Sequence, residues 1–173
     1  YYENYRSDPY GGFKRGDTAA VVSGLNISRE AGENVGQYAI TPSGATAGNY
    51  TITFVDGTLT INPAPLTITA DDKSKTYGDD DPAFTVSYEG FRRGDTASVV
   101  SGLTFSREAG EDVGEYAITP SGATASNYTI TFVSGTLTIN PAPLTITADD
   151  KSKTYGDDDP VFTASYSGFK RGD

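Results

Sequence analysis

The sequence repeats itself with a period of 78 residues, and this period limits the possible folds more than any other feature. Similar pentapeptides, Phe-Lys/Arg-Arg-Gly-Asp, begin at positions 13, 91 and 169, and residues 63–82 return unchanged as residues 141–160. The period is too long for ankyrin, tetratricopeptide or leucine-rich units, which bury their core only against neighbours. It fits a small domain with its own core, so we predict a tandem array of such domains.

Prolines mark the predicted joints between these domains. The segment Asn62-Pro63-Ala64-Pro65 and its copy at residues 140–143 each separate two strand-like runs and favour an extended, semi-rigid backbone. The predicted domains are a partial first module at 1–62 that lacks its opening strands, a complete middle module at 63–140, and a partial third module at 141–173 that holds only those opening strands.

Alternating apolar and polar residues indicate short, half-buried strands, for example at residues 66–69 and 84–88. The strongest local signal is Asp56-Gly57, because Asp-Gly is the preferred pair of a two-residue type I′ turn. It predicts an antiparallel hairpin that places Phe54 opposite Leu59. Such strands, with turn residues between them, predict an all-β fold of tandem small antiparallel β-sandwich modules, immunoglobulin-like in type.

Two further local signals bear on the fold. Residues 112–116 have the Asp-x-Gly-x-Tyr pattern of the tyrosine corner in immunoglobulin-like domains. Asp95 or Thr96 is placed to cap one helical turn. The alternative architecture is an α+β module of the β-grasp type, in which the segment after Arg93 forms a helix that crosses a mixed sheet.

Composition excludes several classes of function. Thirteen basic against 23 acidic side chains give a net charge of −10, which disfavours binding to nucleic acid or to anionic lipid. Without cysteine or histidine, the chain has no thiolate or imidazole ligand, no histidine-assisted nucleophile and no disulfide. No apolar run approaches the ~20 residues that span a bilayer, so membrane insertion is not expected. The absence of methionine predicts a chain processed or cut from a longer one.

Five segments of the middle module form a distinctive set. They are Pro-Ala-Pro-Leu-Thr-Ile-Thr-Ala at 63–70, Lys-Thr-Tyr-Gly at 75–78, Gly-Asp at 94–95, Ser-Arg-Glu-Ala-Gly-Glu-Asp-Val-Gly-Glu-Tyr-Ala-Ile at 106–118 and Asn-Tyr-Thr-Ile-Thr-Phe at 127–132. Together they resemble the MBG repeat of the Tyr-Gly-x type. The resemblance covers nearly all of each module beyond residue 9, whereas the tyrosine-rich residues 1–9 do not match residues 79–87.

The resemblance implies a tandem module of large bacterial surface and secreted proteins, filamentous haemagglutinin-like adhesins among them. It therefore implies an extracellular or cell-surface location and no catalytic activity. It supplies no binding residues to transfer to this sequence.

Arg93-Gly94-Asp95 and its copies at residues 15–17 and 171–173 match the tripeptide that integrins bind. In such a site the arginine fills one pocket and the aspartate carboxylate completes a metal site. The structural alternative is that glycine permits a tight turn and aspartate caps the next helical turn. Arg93, Gly94 and Asp95 are thus the candidate binding residues, with this alternative left open.

Two acidic runs provide the candidate metal ligands, Asp79, Asp80 and Asp81 and their copies Asp157, Asp158 and Asp159. Carboxylate oxygens suit Ca²⁺, and both runs lie near a predicted joint, where an ion would tie two modules together. The runs nevertheless lack the alternating spacing of a preformed calcium loop, and charge runs are usually solvated. Calcium is the one cofactor that the sequence suggests.

Catalysis is not predicted. Glycoside hydrolysis needs only a pair of carboxylates, and the candidates would be Glu108, Glu111, Asp112 and Glu115. A module this small has little room for a substrate cleft, however. Lys75 or Lys153 is a candidate for an intramolecular isopeptide bond if it faces an asparagine beside a buried acid.

The tyrosines are the candidate contacts to host or matrix glycans, because aromatic rings stack on sugars. Four of them stand for the set, with their copies: Tyr50, Tyr77, Tyr88 and Tyr116. Their places in alternating strands favour core or corner positions for most of them.

The sequence therefore predicts a non-catalytic structural spacer, the stalk of a bacterial surface adhesin or extracellular fibre, with identical modules as neighbours. A first alternative is a subunit that polymerises head to tail, in which residues 141–173 of one chain complete residues 10–62 of the next. The complementary side chains are large, and each forfeits about 1.5–3 kcal/mol when left unburied. A second alternative is a glycan- or mucin-binding module.

Overall fold

The computed structural model describes residues 12–173, which form two compact units. The first unit ends at Pro63 and the second begins at Ala64. Both are built from β-strands, so the predicted all-β class is confirmed. Within the described part of the chain, no helix has the length and apolar character needed to cross a bilayer. The tyrosine-rich residues 1–9 lie outside the described residues.

The first unit contains an antiparallel sheet of three strands in the order β1-β2-β3. These strands are β1 (Asn26–Arg29), β2 (Gly36–Ser43) and β3 (Gly57–Ile61). Pairing in register brings Tyr38 opposite Leu59, so apolar residues of neighbouring strands share one face. Residues 51–56, which precede β3, form no strand.

The second unit contains a four-stranded sheet in the order β5-β10-β8-β7, a three-stranded sheet in the order β6-β4-β9, and the hairpin β11-β12. The strands are β4 (Ala64–Ala70), β5 (Lys73–Thr76), β6 (Val86–Glu89), β7 (Thr104–Arg107), β8 (Gly114–Ser121), β9 (Tyr128–Val133), β10 (Gly135–Asn140), β11 (Thr145–Ala148) and β12 (Ala164–Ser167). The first two sheets belong to the middle module, and the hairpin belongs to the third.

Strand β4 contributes to both hydrophobic cores of the middle module. Its apolar residues alternate with threonines, and Leu66, Ile68 and Ala70 are buried. Ala70 packs in one core with residues of the other sheet, among them Ile118 and Leu137, while Leu66 and Ile68 lie in the second core. The period-two pattern thus buries one face of β4, as the sequence predicted.

The strands of the middle module fall into two halves. We call β4, β5 and β6 the N-half, β7 to β10 the C-half, and the contact between them the seam. All antiparallel pairs lie within a half, whereas both parallel pairs, β4 with β9 and β5 with β10, cross the seam. The sheets are therefore mixed rather than purely antiparallel as predicted.

The hairpin predicted at Asp56-Gly57 is wrong, because residues 51–56 form no strand and Phe54 therefore does not pair with Leu59. The copy of this turn in the middle module is Ser134-Gly135, which joins β9 to β10. Strands β9 and β10 follow each other in the chain but lie in different sheets, and β9 pairs with β4 instead. The glycine serves another purpose, because a Cβ atom on Gly135 would lie 2.4 Å from the carbonyl oxygen of Ala70. A close crossing of two backbones, and not a type I′ turn, requires glycine there.

The structure decides three further local predictions, the β-grasp helix, the helical cap and the tyrosine corner. The segment after Arg93 forms only the single 3₁₀ turn Ala97–Val99, so the helix of the β-grasp alternative is not observed. Thr96 caps this turn by accepting a hydrogen bond from the backbone of Ser98. The tyrosine corner is confirmed, since the Tyr116 hydroxyl donates to the carbonyl oxygen of Asp112 at 2.9 Å.

Candidate functional site

The seam of the middle module is held by strand pairing and by side-chain hydrogen bonds. Parallel pairing aligns Leu66 with Ile130 on one sheet and Leu137 with Lys73 on the other. The Asp72 carboxylate accepts a 2.8 Å hydrogen bond from the backbone nitrogen of Thr136. Backbone, core and side-chain contacts therefore all join the two halves.

Four charged side chains meet at the seam, two from each half. Lys75 Nζ lies 2.7 Å from both Asp81 Oδ1 and Glu111 Oε2. Arg107 pairs with the same two carboxylates, at 2.6 Å from Nε to Asp81 Oδ2 and through its terminal nitrogen with Glu111. The Lys75 side chain is only 4% exposed, and the two carboxylates are about one-third exposed. We call these four residues the charge cluster.

The charge cluster keeps all its members ionised. The hydrogen bond to Asp81 is the main cause that raises the pKa of Lys75. The hydrogen bond from Lys75 is in turn the main cause that lowers the pKa values of Asp81 and Glu111. An isopeptide bond to asparagine needs a neutral lysine amine as the nucleophile, whereas Lys75 Nζ contacts two carboxylates that favour its charged form. The arrangement therefore favours an ion-pair network over an isopeptide bond.

The described residues of the first and third modules each contain the copies of one half of the charge cluster. In the third module, Lys153 Nζ lies 2.6 Å from Asp159 Oδ1, with side chains 45% and 66% exposed. In the first unit, Arg29 pairs with Glu33, also in an exposed position. The same residue types are thus more exposed where the complementary half is not in contact.

The Arg-Gly-Asp tripeptide forms a tight turn in each copy. Arg93 and Gly94 both have positive φ, at 57° and 82°, and the backbone nitrogen of Asp95 bonds to the carbonyl of Arg92 at 2.9 Å. The Asp95 carboxylate accepts a 2.6 Å hydrogen bond from the Tyr128 hydroxyl, which is the main cause that raises the pKa of Tyr128. These contacts give the tripeptide a structural role, and integrin binding stays a prediction.

The third copy of this turn contacts the middle module. The Tyr77 hydroxyl donates to Asp173 Oδ2 at 3.1 Å, and Arg171 Nη1 lies 3.6 Å from Glu111 Oε2. The side chain of Lys170 packs against Gly78, where a Cβ atom would lie 2.6 Å from that of Lys170. We call this contact the joint. It links the charge cluster of one module to the turn of the next.

The acidic runs do not converge on a common point. Asp81 is paired with Lys75 and Arg107, and Asp159 with Lys153. Among residues 12–173, no three acidic side chains are arranged to hold a metal ion. The geometry therefore does not fit the calcium site suggested at Asp79, Asp80, Asp81, Asp157, Asp158 and Asp159, which stays a prediction.

Most of the candidate glycan-contacting tyrosines have structural partners. Tyr116 forms the corner, Tyr50 donates to Asp17 at 2.7 Å, and Tyr77 lies at the joint. Tyr88 packs against the second core. Tyr155, the copy of Tyr77, is instead fully exposed. Glycan binding stays a prediction.

The fold and the seam define a class of protein, a tandem array of small all-β modules whose halves are joined by parallel strand pairs. The model of one family, the MBG domain (YGX type), matches residues 3–60, 66–138 and 144–173. The chain therefore belongs to the MBG domain family, as its sequence motifs indicated. No curated protein and no solved structure matches it.

Proposed function

We propose that the chain is a non-catalytic spacer, part of the stalk of an extracellular fibre or bacterial surface adhesin. Membership of a family of repeated domains supports this role, since three copies follow one another here. The role needs no cofactor, no nucleic acid and no membrane insertion, and its main partners are identical neighbouring modules. The net charge of −10 favours solubility of a long array.

The joint is the observation that carries this proposal. A spacer has to transmit position from one module to the next, which a flexible linker does not do. Here Pro141 and Pro143 restrict the connecting backbone, and Tyr77 and Glu111 contact the turn of the following module. These contacts use the same tripeptide turn that repeats every 78 residues, so an array offers one such joint per repeat.

Residual dipolar couplings on the full chain test the stiffness of the joint. A stiff joint predicts that backbone amides of the middle module and of the β11-β12 hairpin fit one alignment tensor. Substituting Tyr77→Phe removes the hydroxyl that contacts Asp173 and should lower the order of the hairpin. Tyr155→Phe, the same change at the exposed copy, is the matched control and should have no effect. Independent tensors in the unaltered chain would contradict the proposal.

A further inference from the structure

Identical sequences have different structures in the first and middle modules. Residues 50–55 and 128–133 are both Tyr-Thr-Ile-Thr-Phe-Val. In the middle module they form β9, which pairs with β4, whereas residues 51–55 form no strand in the first unit. The difference follows from the partner, because the described part of the first unit contains copies of C-half strands only.

In the described part of the first unit, an apolar groove lies beside residues 51–55. The groove has a volume of about 400 Å³, and Phe13, Leu25, Ile52 and Phe54 are among its lining residues. Leu25 and Phe54 are markedly exposed. In the middle module the copies of Phe13, Leu25 and Ile52 pack against the core that holds Leu66 and Ile68 of the N-half. The groove therefore has the apolar character of the C-half side of the seam.

The third module carries the matching strand. Residues 142–148 are identical to residues 64–70, which comprise β4. Leu66 and Ile68 are 1% and 0% exposed in the middle module, but their copies Leu144 and Ile146 are 48% and 61% exposed. Within the described residues, β11 has β12 as its only strand neighbour, so its other edge is open.

The exposed charges of the first and third modules are complementary. The first unit offers Arg29 and Glu33, the copies of Arg107 and Glu111, and the third module offers Lys153 and Asp159, the copies of Lys75 and Asp81. If these two pairs met as their copies do in the middle module, two basic and two acidic side chains would form the same charge cluster.

We propose that the third module of one copy of this chain docks into the groove of the first unit of a second copy. Strand β11 pairs in parallel with residues 50–55, in the register of β4 and β9, so that Thr145 lies opposite Thr53 as Thr67 lies opposite Thr131. The contact joins two different surfaces and so continues from copy to copy in an open, head-to-tail series. It is independent of the spacer role.

Disulfide trapping tests the register, and the native chain has no cysteine to interfere. A Thr53→Cys chain is mixed with a Thr145→Cys chain that carries a mass tag, and the heterodimer is quantified on a non-reducing gel. Neighbouring residues on paired strands lie within disulfide range. We expect several-fold more heterodimer than with a Thr147→Cys chain, which is the matched control two residues out of register. Equal yields, or no heterodimer, would overturn the proposal.

Charge exchange tests the same contact in solution. Sedimentation velocity of the unaltered chain should show a sedimentation coefficient that rises with concentration. Glu33→Lys or Lys153→Glu alone should weaken this association at least about tenfold, which corresponds to ~1.4 kcal/mol. The double variant should recover most of the association, because the opposite charges face each other again. A concentration-independent monomer, or a double variant as weak as the single ones, would overturn the proposal.

Discussion

Lys75 shows how strongly the environment of one residue depends on the complementary half-module. Its ammonium group is buried between two carboxylates, whereas the side chain of the copy, Lys153, contacts one carboxylate and is 45% exposed. Surface ion pairs contribute little to stability, while removal of one member of a buried network leaves charges without their partner. The two lysines, which have the same local sequence, therefore allow the effect of burial to be compared within one chain.

Substituting Lys75→Met should lower the free energy of unfolding of the middle module by about 1–3 kcal/mol. The expected loss is below that of a fully buried pair, because Asp81 and Glu111 are one-third exposed and water screens their charge. Lys153→Met is the control and should change stability by less than about 0.5 kcal/mol. Urea unfolding followed by NMR signals of β8 and β10 measures both, and equal effects would contradict the burial of Lys75.

The charge cluster also predicts how the free energy of unfolding of the middle module changes at low pH. Lys75 lowers the pKa values of Asp81 and Glu111 in the folded state. A carboxyl group with a lowered pKa stabilises the fold above its unfolded pKa, near 4, and this contribution is lost as the pH falls through the folded pKa. The stability difference between the unaltered chain and the Lys75→Met variant should therefore be constant from pH 5 to 7 and shrink below about pH 4. Urea titrations at several pH values would show it, and a pH-independent difference would count against the network.

At the scale of elements, Gly135 lies where the backbones of two sheets cross at close range. A Cβ atom there would collide with the Ala70 carbonyl oxygen across the seam. Gly57, the copy in the first unit, has the Cβ of Ile40 at 3.7 Å as its nearest neighbour, which is an ordinary contact. The seam thus requires glycine at position 135, whereas Gly57, which the sequence assigned to a turn, has room for a Cβ atom.

Substituting Gly135→Ala should destabilise the middle module by about 1–3 kcal/mol, the usual cost of inserting an atom into a packed site. Gly57→Ala should change the stability of the first unit by no more than about 0.5 kcal/mol. Thermal or urea unfolding of the two variants, followed by NMR signals of each unit, gives both values. A tolerated Gly135→Ala would mean that the two backbones do not approach each other as closely as described.

The elements predicted correctly from the sequence are those whose determinants lie close together in the chain. Tyr116 bonds to a carbonyl four residues away, and Thr96 caps the turn that follows it. The seam depends on distant partners, since Lys75 and Glu111 are 36 residues apart. Lysine and glutamate are typical of solvated surfaces, so nothing local to either residue signalled the charge cluster. The Asp56-Gly57 signal was local too, but residues 51–56 form no strand, and at the copy, Ser134-Gly135, β9 pairs with β4 instead of with β10.

At the scale of the molecule, the seam explains why one repeat has to supply two complementary halves. Six residues with one sequence form β9 beside β4 in the middle module, while residues 51–55 of the copy form no strand. Residues 73–76 form β5 beside β10, while their copies at 151–154 form no strand. Local preference is the same within each pair, so the partner across the seam decides the structure.

Amide hydrogen exchange of the full chain, at a concentration low enough to prevent association, tests this claim directly. The amides that β9 donates to β4 should exchange at least about a hundredfold more slowly than the same amides of residues 51–55, because intrinsic exchange rates are equal for identical sequences. Equal protection in the two copies would show that the strand forms without its partner, and would contradict the account of the module as two halves joined at a seam.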